Sequence, residues 1–299
     1  MRTLTIDGHS IQVPYWNEWT KEQLLNVSEL AGMELPIDEF CLKALFLLTG
    51  LKVWKKREKF INVEACYYVR HGKDNVYLIG ERDLTYMTMS IRDNFFKKIL
   101  QKGEESYIFD SQLFENKIVG FLHDHVYYYG PQKGLANLIF EEYIYSETYF
   151  DRYSSSKENK YLDKLIAVLY RPQKEVDEMN PEYDGDKREK FNAHLIEARA
   201  KELASLSDKY KTAIFFYYSG CRYFLSKQFP EVFKEGDGGG TDIFQNFIEL
   251  TSALSGGSIN NEKLRKTMLY DVLSDLNTRK KHQKELEKKQ KENKYGRRI

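Results

Sequence analysis

At 299 residues the chain can bury one large core or two modest ones, because domains cluster near about 100–150 residues and single cores stop growing near about 250–300. Its 41% hydrophobic and 30% charged residues are an ordinary globular composition, and its 22 Tyr and 18 Phe suit either hydrated, adhesive interfaces or a tyrosine-filled core. A formal net charge of +1 excludes a global field that draws the whole molecule to nucleic acid or to an anionic membrane.

"RTLTIDGHSIQV" alternates polar and apolar residues on both sides of Asp7-Gly8, the dipeptide that supplies the positive φ angles of a two-residue turn, so the chain is predicted to open with a β-hairpin. "TKEQLLNVSEL" reads as a helix, with Thr20 and Gln23 at capping-box spacing and Leu24, Leu25 and Leu30 on its apolar side. Pro36 and Asp38 start a second helix, "DEFCLKALFLLTG", whose buried face carries Phe40, Leu45, Phe46 and Leu48 and whose stop is Gly50. The two helices are expected to pack as one hairpin. Residues 63–82 read as a second β-hairpin around His71-Gly72-Lys73-Asp74. "DNFFKKILQKG" reads as helix and "KIVGFLHDHVYYYG" as a further strand.

The second half is helical by period in "GLANLIFEEYIYSETYF", "NKYLDKLIAVLYR", "REKFNAHLIEARAKELASL" and "KYKTAIFFYYSGCRYFLSKQF". Leu162, Leu165, Ile166 and Leu169 stand at i, i+3, i+4 and i+7, one helical face. In the last segment Ile214, Tyr217, Tyr218, Cys221 and Leu225 share a side, flanked by Phe215, Phe216 and Phe224. A helix apolar nearly all round belongs at the centre of a core or between subunits. Gly220 costs that helix stability, and the close approach of another backbone is the expected reason. Serines 154 to 156 and "RPQKEVDEMNPEYDGD" are the loop candidates. A final helix is predicted over 261–293, with Leu264, Met268, Val272 and Leu276 as its seam and Leu286 isolated beyond it. The fold class is therefore α+β and predominantly α-helical, with N-terminal β-hairpins and short helices before a helical bundle that ends in a long helix. Three regions are expected: 1–130 mixed with β-hairpins, 131–257 a helical core, and 258–299 the long helix with a basic tail.

The candidate sites are weak. "GDGGGTDIF", residues 236–244, has the glycines of a ligand loop, but Asp242 and the nearby Glu235 and Asp237 would repel a phosphate. It reads better as a flexible connector, with Thr241 as a helix N-cap. His123 and His125 would share a face of one strand, as two metal ligands should, but no third ligand is marked; the alternative is the wet face of an edge strand. Glu182, Asp184 and Asp186 alternate without the glycine and terminal Glu of a calcium loop. Ser219 and Cys221 sit in an apolar helix without an identifiable base. Cys41, Cys66 and Cys221 form no CxxC pair, which favours buried thiols over a disulfide or zinc scaffold. No cofactor or metal is called, and the absence of a long apolar run or signal peptide predicts cytoplasmic synthesis and no membrane partner.

Charge gathers at one end. From Asn277 to Ile299 ten basic residues against three Glu give +7, so the net +1 leaves −6 for the rest. Arg279, Lys280, Lys281, Lys284, Lys288, Lys289, Lys291, Lys294, Arg297 and Arg298 are thus the candidates for contact with a polyanion or an acidic partner.

"YWNEWTKEQLL", "ALFLLTGLK", "YYGPQKGLANLIFEEYIYSETYF", "LIAVLYRPQ", "EYDGDKREKFN" and "FFYYSGCRYFL" together resemble proteins encoded in the structural modules of tailed phages and prophages of Bacteroidetes, over roughly residues 14 to 233. The resemblance carries no catalytic motif, and the C-terminal helix lies outside it. It implies a non-enzymatic virion structural or assembly protein, at the head–tail junction as a neck or connector ring, or in the tail. Such a protein is made in the host cytoplasm, forms a homo-oligomeric ring or stack, and contacts portal, neck or tail subunits; its basic tail would touch an acidic neighbour or packaged DNA. The alternatives are a tail-assembly chaperone missing from the mature particle and a nucleic-acid-binding protein of a mobile element.

Overall fold

The structure is a computed structural model that describes residues 2–6, 9–57, 66–73, 75–101, 104–174, 183, 185–233 and 258–296. The fold is α+β and mainly helical, with small antiparallel sheets. Two compact units divide it: Met1–Lys117 with Ser207–Gly220, and Ile118–Leu206 with Cys221–Ile299. This differs from the three-region division that composition suggests.

In the first unit, β1 (Arg2–Ile6) and β2 (His9–Val13) form the opening hairpin with Ile6 opposite His9. The Asp7-Gly8 turn lies outside the described residues. Ile11 and Val13 are buried between exposed Ser10 and Gln12, the two-residue period of a half-covered strand. Thr20 caps α1 (Lys21–Ala31): its hydroxyl accepts from Gln23 N–H while the Gln23 side chain accepts from Thr20 N–H, at 3.1 and 2.9 Å. Pro36 leads into α2 (Ile37–Thr49), and Gly50, at φ 69°, ends it in the left-handed conformation that a residue with a Cβ avoids.

Beyond Gly50 the chain runs as β3 (Leu51–Arg57), a strand that the lysine-rich sequence did not announce. It pairs with β4 (Cys66–His71), which pairs with β5 (Asn75–Gly80), so the predicted second hairpin is two thirds of a three-stranded sheet. Next comes α3 (Glu81–Phe95), buried through Leu84, Met87, Ile91 and Phe95. The helix predicted over "DNFFKKILQKG" is therefore corrected: its first three residues end α3, and the chain turns extended at Phe96 (φ −125°, ψ 140°). Residues Phe96–Gln101 form β6, paired with β7 (Glu104–Phe109). Packing outweighs local propensity there, because Phe96 and Phe109 both meet the Phe40 ring edge-on, at 5.4 and 5.3 Å.

A second aromatic group joins Trp16 and Trp19, 4.4 Å apart, to Phe95, and Phe216 packs on Trp16 at 5.8 Å. Phe216 belongs to α7 (Asp208–Gln228). The expectation for Gly220 is met within this unit: a Cβ there would stand 2.3 Å from the Leu113 backbone nitrogen and oxygen. Ser111 fastens the same segment by donating to Phe216 O at 2.7 Å.

In the second unit β8 (Gly120–His123) and β9 (Val126–Tyr129) make a hairpin, and β10 (Arg171–Pro172) extends it to a sheet of order β10-β9-β8. Here α4 (Phe140–Ser156) takes in serines 154 to 156, which are the end of a helix rather than a loop, closed by Lys157 at φ 59°. It starts at Phe140, after the extended Ile139, and not at Gly134. The predicted face of α5 (Asn159–Leu169) is buried at Leu162, Leu165, Ile166 and Leu169. Only Ile196–Glu202 of "REKFNAHLIEARAKELASL" is α-helix, α6, with short 3-10 turns on either side.

The predicted single C-terminal helix is two, α8 (Ser258–Arg265) and α9 (Leu269–Gly296). Met268 pairs with Ile139 across an isolated bridge; Phe140 N–H donates to Thr267 O and Leu269 N–H donates to Leu138 O, each at 2.9 Å. Those bonds occupy the backbone groups that a continuous helix would need. The seam shifts with them to Leu269, Val272, Leu273 and Leu276, all buried, while Met268 is 40% exposed. Among the described residues no helix is long and apolar enough to cross a membrane.

Candidate functional site

Glu142 sits on α4 among apolar neighbours, and two buried arginines meet it. Arg171 Nη2 lies 3.0 Å from Glu142 Oε1, and Arg188 Nη1 lies 3.4 Å from Glu142 Oε2. Asp186 completes the group, accepting from Arg188 Nε at 3.0 Å and from Nη2 at 2.7 Å. Two cations and two carboxylates balance, as buried charges must if desolvation is not to dominate. Burial pulls the Arg171 guanidinium below its ordinary value, and Glu142 opposes that pull.

The remaining guanidinium N–H groups are spent on backbone. Arg171 donates to Val168 O and Glu189 O at 3.0 and 2.7 Å; Arg188 donates to Leu169 O and Asn137 O at 3.2 and 3.0 Å. Val168 and Leu169 end α5, so the arginines satisfy carbonyls that the helix itself cannot and place positive charge at its negative end. The cluster binds α4, the end of α5 and the 186–189 segment into one polar joint. A cavity of about 420 Å³ opens beside it, bordered also by Lys174, Lys190, Phe191 and Lys266. No pattern in the sequence marks this joint, because Glu142, Arg171 and Arg188 are far apart along the chain. The one signal along the chain was a carboxylate inside an apolar helical stretch.

The two histidines of "HDH" do not share a strand face. Asp124 and His125, at φ 45° and 66°, are the central residues of the β8–β9 turn, where both must adopt positive φ. His123 turns instead to the end of α6, with Nε2 3.1 Å from Glu202 O and 3.2 Å from Ser205 Oγ. The carbonyl can only accept, so Nε2 carries the proton. Among the described residues no group of three or more His, Cys, Asp or Glu could hold a metal ion. The glycine-rich 236–244 stretch, Glu182 and Asp184 lie outside the described residues, and Asp186 serves the arginine joint.

Ile214, Tyr217, Tyr218, Cys221 and Leu225 are all buried, at 0, 1, 0, 0 and 0% exposure. Cys41, Cys66 and Cys221 are buried thiols that form no disulfide, and burial pushes Cys41 up to about 12, far from a reactive thiolate.

The C-terminal helix presents the opposite environment. After the buried turn Leu269–Leu276, every residue from 281 to 290 is exposed. Arg279 pairs with Asp275 at 2.9 Å, and Lys284 pairs with Glu231, whose N–H also donates to Asn277 Oδ1 at 2.9 Å. Lys281, Lys288 and Lys289 make no ion pair among the described residues, and Lys280 is half-buried. Of the remaining candidates, Lys291 and Lys294 lie on the helix, while Arg297 and Arg298 fall outside the described residues. Comparison with known proteins finds no matching family model, no similar curated protein and no similar solved structure. The site is therefore read from its own chemistry. What α9 offers over residues 281–290 is a basic, water-exposed stretch of helix in which Leu286 is the one apolar residue.

Proposed function

We propose that the protein is a non-enzymatic structural or assembly component of a tailed-phage particle, at the head–tail junction or in the tail, and that distal α9 is its docking arm. The observation that carries this reading is the run 281–290, fully exposed on a helix whose root is buried. A helix with no core to fill gains its stability from a partner, and uncompensated lysines select an acidic subunit surface or packaged DNA. The phrases from residue 14 to 233 that resemble phage structural-module proteins, and the surplus of tyrosine, support the same reading. Copies of the chain associate head to tail and close into a ring or stack.

The test is the solution mass of the full chain against a chain ending at Asn277, by light scattering, alongside peptide mass spectrometry of purified particles. The proposal expects a multimer, a loss of partner binding on truncation, and the protein's peptides in particles. A monomer that is also missing from particles would overturn it, and a multimer missing from particles would assign the chaperone role instead. Lys281, Lys288 and Lys289, which make no ion pair among the described residues, favour a second reading, a nucleic-acid-binding protein of a mobile element, which requires salt-sensitive duplex DNA binding that truncation abolishes.

A further inference from the structure

The β3–β4–β5 sheet leaves one face open, and that face is aromatic and basic. The register sets Lys52 against Arg70 and Arg70 against Val76; one step along it sets Lys55 against Tyr68 and Tyr68 against Leu78. Cross-strand partners project from the same side of a sheet. The other side carries Leu51, Val69, Tyr77 and Ile79, all buried, so the first set faces water. The register shift between Val53 and Lys55 leaves Trp54 as an extra residue, and the Arg70 guanidinium lies 5.3 Å from its ring centre. Trp54 is 61% exposed, while Trp16 and Trp19 are buried at 3 and 1%.

The charge on this face is one-sided. Strands β3 to β5 and the described part of the β4–β5 turn contain Lys52, Lys55, Lys56, Arg57, Arg70 and Lys73 and no Asp or Glu. Over residues 51–80 seven basic residues stand against three acidic ones, and Glu58, Glu64 and Asp74 all fall outside the strands. In a chain of net charge +1 that is a local concentration. An acidic polypeptide would satisfy the lysines but brings no flat ring to stack beside the Arg70–Trp54 pair. A duplex hides the faces of its bases. A single strand offers both a phosphate backbone for the cations and unstacked bases for the rings.

We infer that the outer face of this sheet binds single-stranded nucleic acid, with phosphates along Lys52, Lys55 and Arg70 and a base stacked on Trp54. This site belongs to the first unit, is built from other residues than the C-terminal arm, and does not depend on the proposed role of that arm. The probe is an oligothymidylate of about 20 nucleotides, longer than the roughly 4–16 that a single-strand-binding fold engages. It carries a fluorescein label and is titrated into the full chain at low salt; the anisotropy of the label gives the affinity of every variant, and tryptophan emission, in which Trp54 is the exposed reporter, gives the stacking in the parent chain. Stacking should quench that emission, and Trp54→Ala should weaken binding about tenfold while Trp54→Phe restores most of it. Replacing Lys52, Lys55 and Arg70 with Gln should lower the slope of log affinity against log salt by about 2. Because the arm is intact in all these variants, the differences report the sheet alone. Unchanged melting temperature of Trp54→Ala confirms that the loss is at the surface. Wild-type affinity in Trp54→Ala, absence of quenching, or equal quenching by a same-length duplex or by polyglutamate would overturn the inference.

Discussion

Around Glu142 the carboxylate and the Arg171 and Arg188 guanidinium groups are buried and answer one another, with Asp186 at the rim, whereas along α9 from Lys281 to Gln290 every side chain is exposed and four Lys stand against two Glu. Both regions are rich in charge, carried on arginine in the joint and on lysine along the arm, and the consequences are opposite. In the buried joint the arginines are fixed by carbonyl groups and carboxylates within about 3 Å, so their charge is consumed by the fold. On the arm, where Lys284 alone of the four is paired, with Glu231, the solvent screens the lysines, which gives their charge little weight in stability. Position relative to water, rather than charge itself, separates a structural role from a binding role.

The contrast is sharpest under Glu142→Ala, which leaves two buried guanidinium groups short of a counter-charge and should cost about 3–5 kcal/mol in urea unfolding. A cost near zero would erase the distinction between the regions. Within α9 itself, Leu273→Ala should cost about 2–5 kcal/mol, because Leu273 is fully buried, while Leu286→Ala at 59% exposure should change stability by under about 0.5 kcal/mol. Thermal melting of the two variants side by side places the point where the helix leaves the core.

Raising the pH should act on the packed tyrosines. Burial, aided by the Glu202 charge, pushes the Tyr128 hydroxyl up to about 12, and burial does the same for Tyr270. Between an unfolded value near about 10 and that folded value the unfolded chain holds fewer protons than the native one, so stability falls as pH rises, by at most about 1.4 kcal/mol per pH unit for Tyr128. Below that window these groups impose no slope. Denaturation curves from about pH 8 to about pH 11.5 should show the decline equally in the full chain and in one ending at Asn277. The smallest stability effect is expected for Lys288→Glu with Lys289→Glu: within about 0.5 kcal/mol of the parent, yet with partner binding lost in a pull-down.

Sequence patterns revealed those parts of the fold that local rules govern. Thr20 with Gln23, Gly50 after α2, and the Leu162-to-Leu169 face of α5 each need only neighbours within a turn or two. Gly220 was legible because a glycine inside an apolar helix forfeits both helix stability and buried area, a loss that a closely packed backbone offsets, and Leu113 supplies that backbone. What failed were elements settled by distant partners. Phe96–Gln101 is a strand because Glu104–Phe109 and Phe40 receive it, and α8 and α9 part because Leu138–Phe140 takes their backbone hydrogen bonds. Lys55 and Lys56 disguised β3, whose exposed face has no hydrophobic alternation to read. The arm's charge was plain in the sequence, but its exposure was only implied by the end of the leucine seam. The joint of Glu142, Arg171, Arg188 and Asp186 had no local signature, since its members meet only when three separate segments converge.

The bridge at Met268 also sets an orientation. With Leu269 bonded to Leu138 and Thr267 to Phe140, the first turn of α9 cannot swivel, so the direction in which each later residue emerges is dictated from the root. Lys280, Lys284 and Lys288 recur every four residues and wind slowly along one side of the rod, by about 40° a step. One residue inserted after Asn277 would turn that row by about 100° without altering net charge if the newcomer is neutral. The arm thus has a set direction as well as a charge, and the length of an insertion changes its reach and its heading together.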